Sequence, residues 1–421
     1  MEKGRKLLCF LLIIGLVWSA SLICAEGAKK AKVKMGALVP LTGALSEFGK
    51  AYRNAGDLAG KHLKAAGFPI MLKFGDTETS AIPGVEAARM LVQVERIQIL
   101  IGAAASGVTL PIAESVTIPS QIPQISNAST SPLLSVLPAD QGKDFLFRTC
   151  PSDTLQGVIL GKLAADEGYK KAAVFYINNA YGQGLMERFK EAFEHRGGKI
   201  VASVPHDEKP APTYVAEHRR IMKSKPDVML ALGYPGQATV YLKEFFEARY
   251  NKSTDLLFCD GTKSVEIPNA IGAEYLAGFL GTTPGSLGGD SSDKFRADYK
   301  AEYDEMPAMP FTSNFYDAVI VASLAAAACD AKGRAITPTN IRDMLREVAN
   351  PPGDTVTVGV EGIKKALELI KAGKAVNYEG AAGSVDFDKN GDVVTPIEIW
   401  KYIDKAPYFE TVRMEVEIPE K

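Results

Sequence analysis

The feature that most constrains the fold of this chain is a regular alternation of short apolar runs with helix-length amphipathic segments. Apolar runs fall at 33–39, 70–74, 97–101, 124–126, 172–177, 200–204, 228–232 and 256–259. Between them, segments 51–66, 84–94, 155–168, 184–195, 214–223 and 237–250 read as helices. In the last of these, Val240, Leu242, Phe245, Phe246 and Ala248 recur at helical spacing. Strand–helix alternation of this kind predicts βαβ units and parallel-type sheets with helices on both faces. One open sheet rarely grows past ~10 strands, so this many units predicts an α/β protein of two Rossmann-like lobes.

The loop after each apolar run is more informative than the run itself. Val39 leads into PLTGALSEFG, Ile101 into GAAASG, Ser126 into NAST, Ile177 into NNAYGQG, Leu232 into GYPGQ and Cys259 into DGT. Ligands of open α/β sheets bind outside the carboxyl ends of the strands, where loop amides and helix N-termini converge. Gly, Ser, Thr and Asn are also ordinary helix caps. Six such loops, three in each half, point to a cleft between two lobes rather than to coincidental caps.

The C-terminal third differs. Segments 293–305 and 315–332 read as helices, the second Ala-rich and apolar on nearly all sides, hence buried. Two further amphipathic helices are expected at 339–349 and 361–372, then a strand around 396–403.

Charge and composition exclude other classes. The chain carries 48 Lys and Arg against 50 Asp and Glu, a formal net charge of −2, so no basic excess invites nucleic acid or an anionic membrane. Residues 1–25 form a unit of their own. Lys3, Arg5 and Lys6 precede the apolar run 7–17, and a small residue, Ala25, marks a cut site. This pattern reads as a secretory signal peptide, with an uncleaved anchor as the competing reading. The mature protein is therefore expected to be extracytoplasmic. It would retain Cys150, Cys259 and Cys329, whose spacing matches neither a disulfide framework nor a zinc site. Buried thiols are the preferred reading of the three, and one disulfide plus one thiol the other.

No motif marks out a catalytic centre. Asp386 to Asp392 (DFDKNGD) resembles the start of an EF-hand loop, but position 12 is Ile397, with Glu398 one residue late. Asn390-Gly391 is better read as a hairpin turn. Neither Gly102–Gly107 nor Tyr181–Gly184 completes a phosphate-binding glycine pattern. His62, His195, His206 and His218 belong to no HExxH motif, and no GxSxG elbow is present. No catalytic residue, metal or cofactor is expected; an exported hydrolase is the remote alternative.

Several segments in fixed order carry a resemblance. They are VKMGALVPLTGALSEFGK (33–50), DTETSAIPGVEAARMLV (76–92), IGAAASGVTLP (101–111), IPQISNASTSP (122–132), FRTCPSD (147–153), NAYGQG (179–184), FYDAV (315–319) and GSVDFDKNGD (383–392). Over about 350 residues this order and spacing is similar to that of type I periplasmic binding proteins of the leucine/isoleucine/valine type, which feed ABC importers. The resemblance implies a two-lobed clamp with three hinge crossings, near 148–150, 281–284 and 380–384. Lobe 1 would comprise 31–148 plus 284–380, and lobe 2 would comprise 151–281 plus 384–421.

The resemblance also implies site residues. Ser106 matches the serine that holds a ligand α-carboxylate. Ala128 and Thr130 match a strand-end pair offering a carbonyl, a hydroxyl and an amide. Tyr181 and Tyr234 match aromatic positions of the second lobe, and Phe48 an aromatic beside the ligand side chain. The acidic partner of the ammonium has no clean counterpart: Thr262 stands nearest its position and Asp260 two residues earlier. The family's first-lobe disulfide is missing, since Ala105 occupies one of its positions. The expected ligand is a branched-chain or other apolar amino acid, or alternatively a small aromatic or aliphatic carboxylate or amide. The expected partner is an ABC permease, and the protein is expected to be a monomer.

Overall fold

The structure, a computed structural model, describes residues 31–417; the signal peptide expected over 1–25 lies outside them. Strand β1 (Val33–Val39) is followed by helix α1 (Ser46–Ala65), β2 (Ile70–Asp76), α2 (Ala81–Arg89), β3 (Ile99–Ile101), α3 (Ser106–Ile112), β4 (Gln124–Ser126) and β5 (Leu146–Arg148). These five strands form one sheet in the order β2-β1-β3-β4-β5, every pairing parallel.

The chain then crosses to a second unit. It runs through α4 (Asp153–Asp166), β6 (Lys171–Ile177), α5 (Ala180–His195), β7 (Lys199–His206), α6 (Val215–Lys223), β8 (Val228–Leu232), α7 (Pro235–Glu247) and β9 (Asp255–Phe258). Two short helices, α8 (Glu266–Ile271) and α9 (Ala273–Leu276), precede β10 (Leu280–Pro284). After this second crossing, α10 (Asp290–Tyr303), α11 (Thr312–Ala331), α12 (Pro338–Ala349), β11 (Asp354–Val356), α13 (Gly359–Lys371), β12 (Val376–Gly380) and β13 (Gly383–Ser384) pack on the first unit. Strands β14 (Ile397–Tyr402) and β15 (Phe409–Glu415) return to the second sheet, whose order is β15-β14-β10-β9-β8-β6-β7. There the pairings are parallel except those that β14 makes with β10 and β15. The fold is thus α/β with two lobes.

Local chemistry explains the main elements. Ser152 and Asn179 accept main-chain N–H bonds at the starts of α4 and α5, and Thr337 does so for α12 with Pro338 in its first turn. Helix α11 is apolar all round because it is the core of the first lobe, clamped among α1, α12 and α13. It is long and apolar enough to cross a membrane, yet it lies 94% buried inside the protein.

The third crossing falls later than expected. Asp392 pairs with the buried Arg148 (Nε to Oδ1, 2.6 Å), and the Phe387 ring meets Phe147 edge-on at 5.2 Å. Arg148 also donates to Ser129 O, Ser131 O and Ser135 Oγ. These contacts keep 385–392 on the first lobe, so the chain changes lobes at 393–396 rather than at 380–384. The Asn390-Gly391 segment is correspondingly not a hairpin. Asp388 Oδ1 accepts the N–H groups of Asn390 and Asp392, closing a loop, while β14 finds its partners in β10 and β15. Cys150, Cys259 and Cys329 are all buried free thiols.

Candidate functional site

The carboxyl ends of the two sheets face each other across a narrow cavity. Its first-lobe wall comes from Leu45 just before α1, Phe48 and Tyr52 on α1, Ala104 and Ala105 in the β3–α3 loop, Ser106 at the start of α3, Ala128 after β4, and Phe311 just before α11. The second lobe contributes Tyr181 from the first turn of α5, and Tyr234, Asp260 and Gly261 from the segments after β8 and β9. Five of these residues are aromatic, one is a carboxylate, and no Lys, Arg or His is among the described residues that line the cavity.

The rings are fixed by their own contacts. Tyr181 and Tyr234 stack with centroids 5.6 Å apart and planes 9° from parallel. Tyr52 stacks on Phe315 at 5.9 Å, and its hydroxyl donates to Pro310 O. Ser106 Oγ accepts from Ser131 N–H at 3.2 Å and keeps its own proton to donate.

Asp260 is the one carboxyl group among the described residues of the wall. Its Oδ1 accepts from Tyr181 Oη at 2.7 Å and from Gln156 Nε2 at 2.9 Å. Burial raises its pKa above the ordinary carboxylate value, against the pull of those two hydrogen bonds. Gly261 beside it must be glycine, because a Cβ there would come within 2.4 Å of Gly233 O. Behind the wall, Asp153 is fully buried; Oδ2 accepts from Thr130 Oγ1 at 2.8 Å and Oδ1 has no hydrogen-bond partner. Burial, and then the neighbouring Asp260, push the Asp153 carboxyl well above its usual range.

Of the residues expected from sequence, Phe48, Ser106, Ala128, Tyr181, Tyr234 and Asp260 stand together around the cavity. Thr130 and Thr262 do not line it. The Thr130 hydroxyl is turned to Asp153, where a buried carboxylate competes for it. Thr262 Oγ1 accepts from Cys259 N–H at 3.0 Å and lies 3.3 Å from Ala231 O, so it caps the end of β9 inside the second lobe. Sequence reasoning missed Tyr52 and Phe311. Tyr52 was detectable, since it lies four residues after Phe48 on the same helix face. Phe311 belongs to an irregular stretch, 304–311, that carries no periodic signal.

The lobes touch at the cleft mouth. Glu47, in the first turn of α1, accepts from Ser264 Oγ and from Val265 N–H at 2.8 Å, and Gly236 N–H donates to Ala44 O at 3.3 Å. Truncation by Glu47→Ala is expected to cost the closed form ~1 kcal/mol, because the half-buried Val265 N–H and the Ser264 hydroxyl lose their acceptor. Small-angle scattering should then show a larger radius of gyration for the variant than for the parent. Identical radii would remove Glu47 from the closure.

A ligand cavity between two α/β lobes joined by three crossings defines a solute-binding protein. The chain belongs to the periplasmic binding protein family, whose model matches residues 32–405. It is a periplasmic-type solute-binding protein of the ABC-transporter kind. It is similar to the chemotactic signal transduction system substrate-binding protein BasB of Halobacterium salinarum, 27% identical over 88% of this chain and 87% of that protein. It is also similar to the Leu/Ile/Val-binding protein BraC3 of Rhizobium johnstonii, 27% identical over 69% of this chain and 78% of the relative. Among solved structures, the leucine-binding protein LivK of Thermotoga maritima superposes with a TM-score of 0.73 at 23% identity, covering 91% of this chain and 99% of LivK. A solute-binding protein of Rhodopseudomonas palustris in complex with benzoate reaches 0.71 at 18% identity, over 91% and 96%.

Proposed function

We propose that this protein captures an α-amino acid with a branched-chain or other apolar side chain and delivers it to the permease of an ABC importer. It would act as an extracytoplasmic monomer, without cofactor or metal and without catalysing a reaction. The observation that carries this reading is Asp260, a buried carboxyl on the wall of a cavity whose described lining holds no cationic side chain. An ammonium supplies the missing counter-charge, and a buried charge is tolerated only when paired and hydrogen-bonded. The ligand carboxylate would take the Ser106 hydroxyl and the amides at the start of α3, donors suited to an anion leaving water. Leu45, Phe48, Tyr52 and Tyr234 would enclose the apolar side chain.

A second reading, an aromatic carboxylic acid, draws on the five aromatic residues and on the raised pKa of Asp260, which in its protonated form would donate to an anion. A thermal-shift screen of α-amino acids against their des-amino acids and against benzoates separates the two. A ligand present at 100 times its Kd adds about 2.7 kcal/mol of stability. Shifts with leucine, isoleucine or valine but not with 4-methylpentanoate are expected. Shifts confined to the acids lacking an amino group would overturn the amino-acid reading.

A further inference from the structure

The ligand cavity is not the largest space at the hinge. Next to it lies a wider chamber, open to solvent, bounded by the crossings after β10 and β13, the segment 306–314 and the ends of β14 and β15. The two linings have a single described residue in common, Phe311. The chamber's lining mixes apolar side chains, among them Met306, Met309 and Phe295, with polar ones. It includes the Lys263–Glu398 ion pair at 2.7 Å.

Phe311 is unusual in its backbone as well as its position. Its φ is +62°, a left-handed conformation that bulky residues rarely adopt. The neighbouring chain holds it there: Pro310 O accepts from Tyr52 Oη, and Thr312 Oγ1 donates to Met309 O at 2.8 Å. A strained residue kept at a ligand wall is a candidate for a functional role.

We infer that Phe311 is the residue that sets the length of side chain the site accepts, as a partition closing the ligand cavity from the chamber next to it. The selected class is then α-amino acids with compact apolar side chains. Longer unbranched side chains would be refused by this ring rather than by the aromatic walls. The inference rests on the amino-acid reading for its ligand class, but the partition itself does not depend on the ammonium.

The test uses a series of straight-chain α-amino acids, from 2-aminobutanoate to 2-aminodecanoate, titrated calorimetrically against the wild type, Phe311→Gly and Phe311→Leu. Glycine adopts a positive φ freely, so the first variant removes the ring without straining the chain. Wild-type affinity is expected to fall sharply beyond a certain length. Phe311→Gly should move that cut-off by at least two methylenes and raise affinity for the longest members tenfold or more, with Phe311→Leu intermediate. An unchanged cut-off in both variants overturns the partition, as it does in Phe311→Leu alone if the glycine variant fails to fold. If the wild type binds no amino acid, the amino-acid reading fails by itself. The matching straight-chain carboxylic acids then carry the same comparison, and the cut-off should shift in the same way.

Discussion

Asp260→Asn is expected to weaken amino-acid binding by two or more orders of magnitude while leaving affinity for the matching des-amino acid nearly unchanged. The side chain is buried, and among the described residues its carboxyl is the only ionisable acid or base on the cavity wall besides the tyrosines. Breaking a buried ion pair by removing one partner costs ~3–5 kcal/mol, because the ammonium is left uncompensated. The amide still accepts from Tyr181 Oη or Gln156 Nε2, so the wall should keep its shape. Binding should also depend on pH, with a definite sign. Burial raises the Asp260 pKa in the empty site, so acid protonates this group before an ordinary carboxylate. Affinity for an ammonium ligand should be full above that raised value and weaken as pH falls through it. Calorimetry on both ligands and both proteins checks this. Near-wild-type amino-acid binding by Asp260→Asn would sink the assignment and move weight to the aromatic carboxylate.

Asp317→Ala should be the most destabilising single truncation in the first lobe, at about 3–5 kcal/mol. Asp317 lies fully buried on α11 and gathers three donors: Oδ1 accepts from Tyr378 Oη at 2.8 Å and Ala381 N–H at 2.7 Å, and Oδ2 accepts from Ala382 N–H at 2.8 Å. These bonds tie the core helix to the turn between β12 and β13. Alanine leaves all three donors buried without an acceptor, each at a cost of ~1–3 kcal/mol, softened by partial relaxation. Burial pushes this carboxyl from its ordinary 3.8 up to about 7. A group whose folded pKa is raised contributes stability that is fully present below its unfolded value and is lost as pH rises through the folded one. The protein should therefore lose stability as pH rises from 3.8 through about 7, and Asp317→Asn should flatten that slope. Denaturant titrations at the two ends of this window test it, and a loss under about 1 kcal/mol in Asp317→Ala would contradict the assignment.

Much of the site was legible because its residues sit at the ends of strands. A strand ends where apolar alternation gives way to Gly, Ser, Asn or Tyr, and that change depends on immediate neighbours alone. Ser106, Ala128, Tyr181, Tyr234 and Asp260 all come directly after such ends, and the sheet topology then brings the ends together. Phe48 came from the resemblance alone, because the helix read from periodicity begins at 51, whereas α1 starts at Ser46. The Thr130 hydroxyl bonds a neighbour, because a hydroxyl at a strand end can serve either a ligand or another side chain. Its neighbour, Asp153, lies 23 residues away and across the first crossing.

The sequence by itself determined the α/β class, the two-lobed plan, the burial of α11 and the loops that carry the site. Periodicity and capping are read over four or five residues, and those features need nothing more. Only the tertiary structure decided which side of Asp260 meets Tyr181 and Gln156, how Arg148 holds Asp392 on the first lobe, and where Phe311 stands between two cavities. Arg148 and Asp392 are 244 residues apart, and Gln156 and Asp260 are 104 apart. No local pattern encodes such pairings. They arise when two independently built lobes close on each other, and each buried polar group takes whichever partner that closure brings within reach.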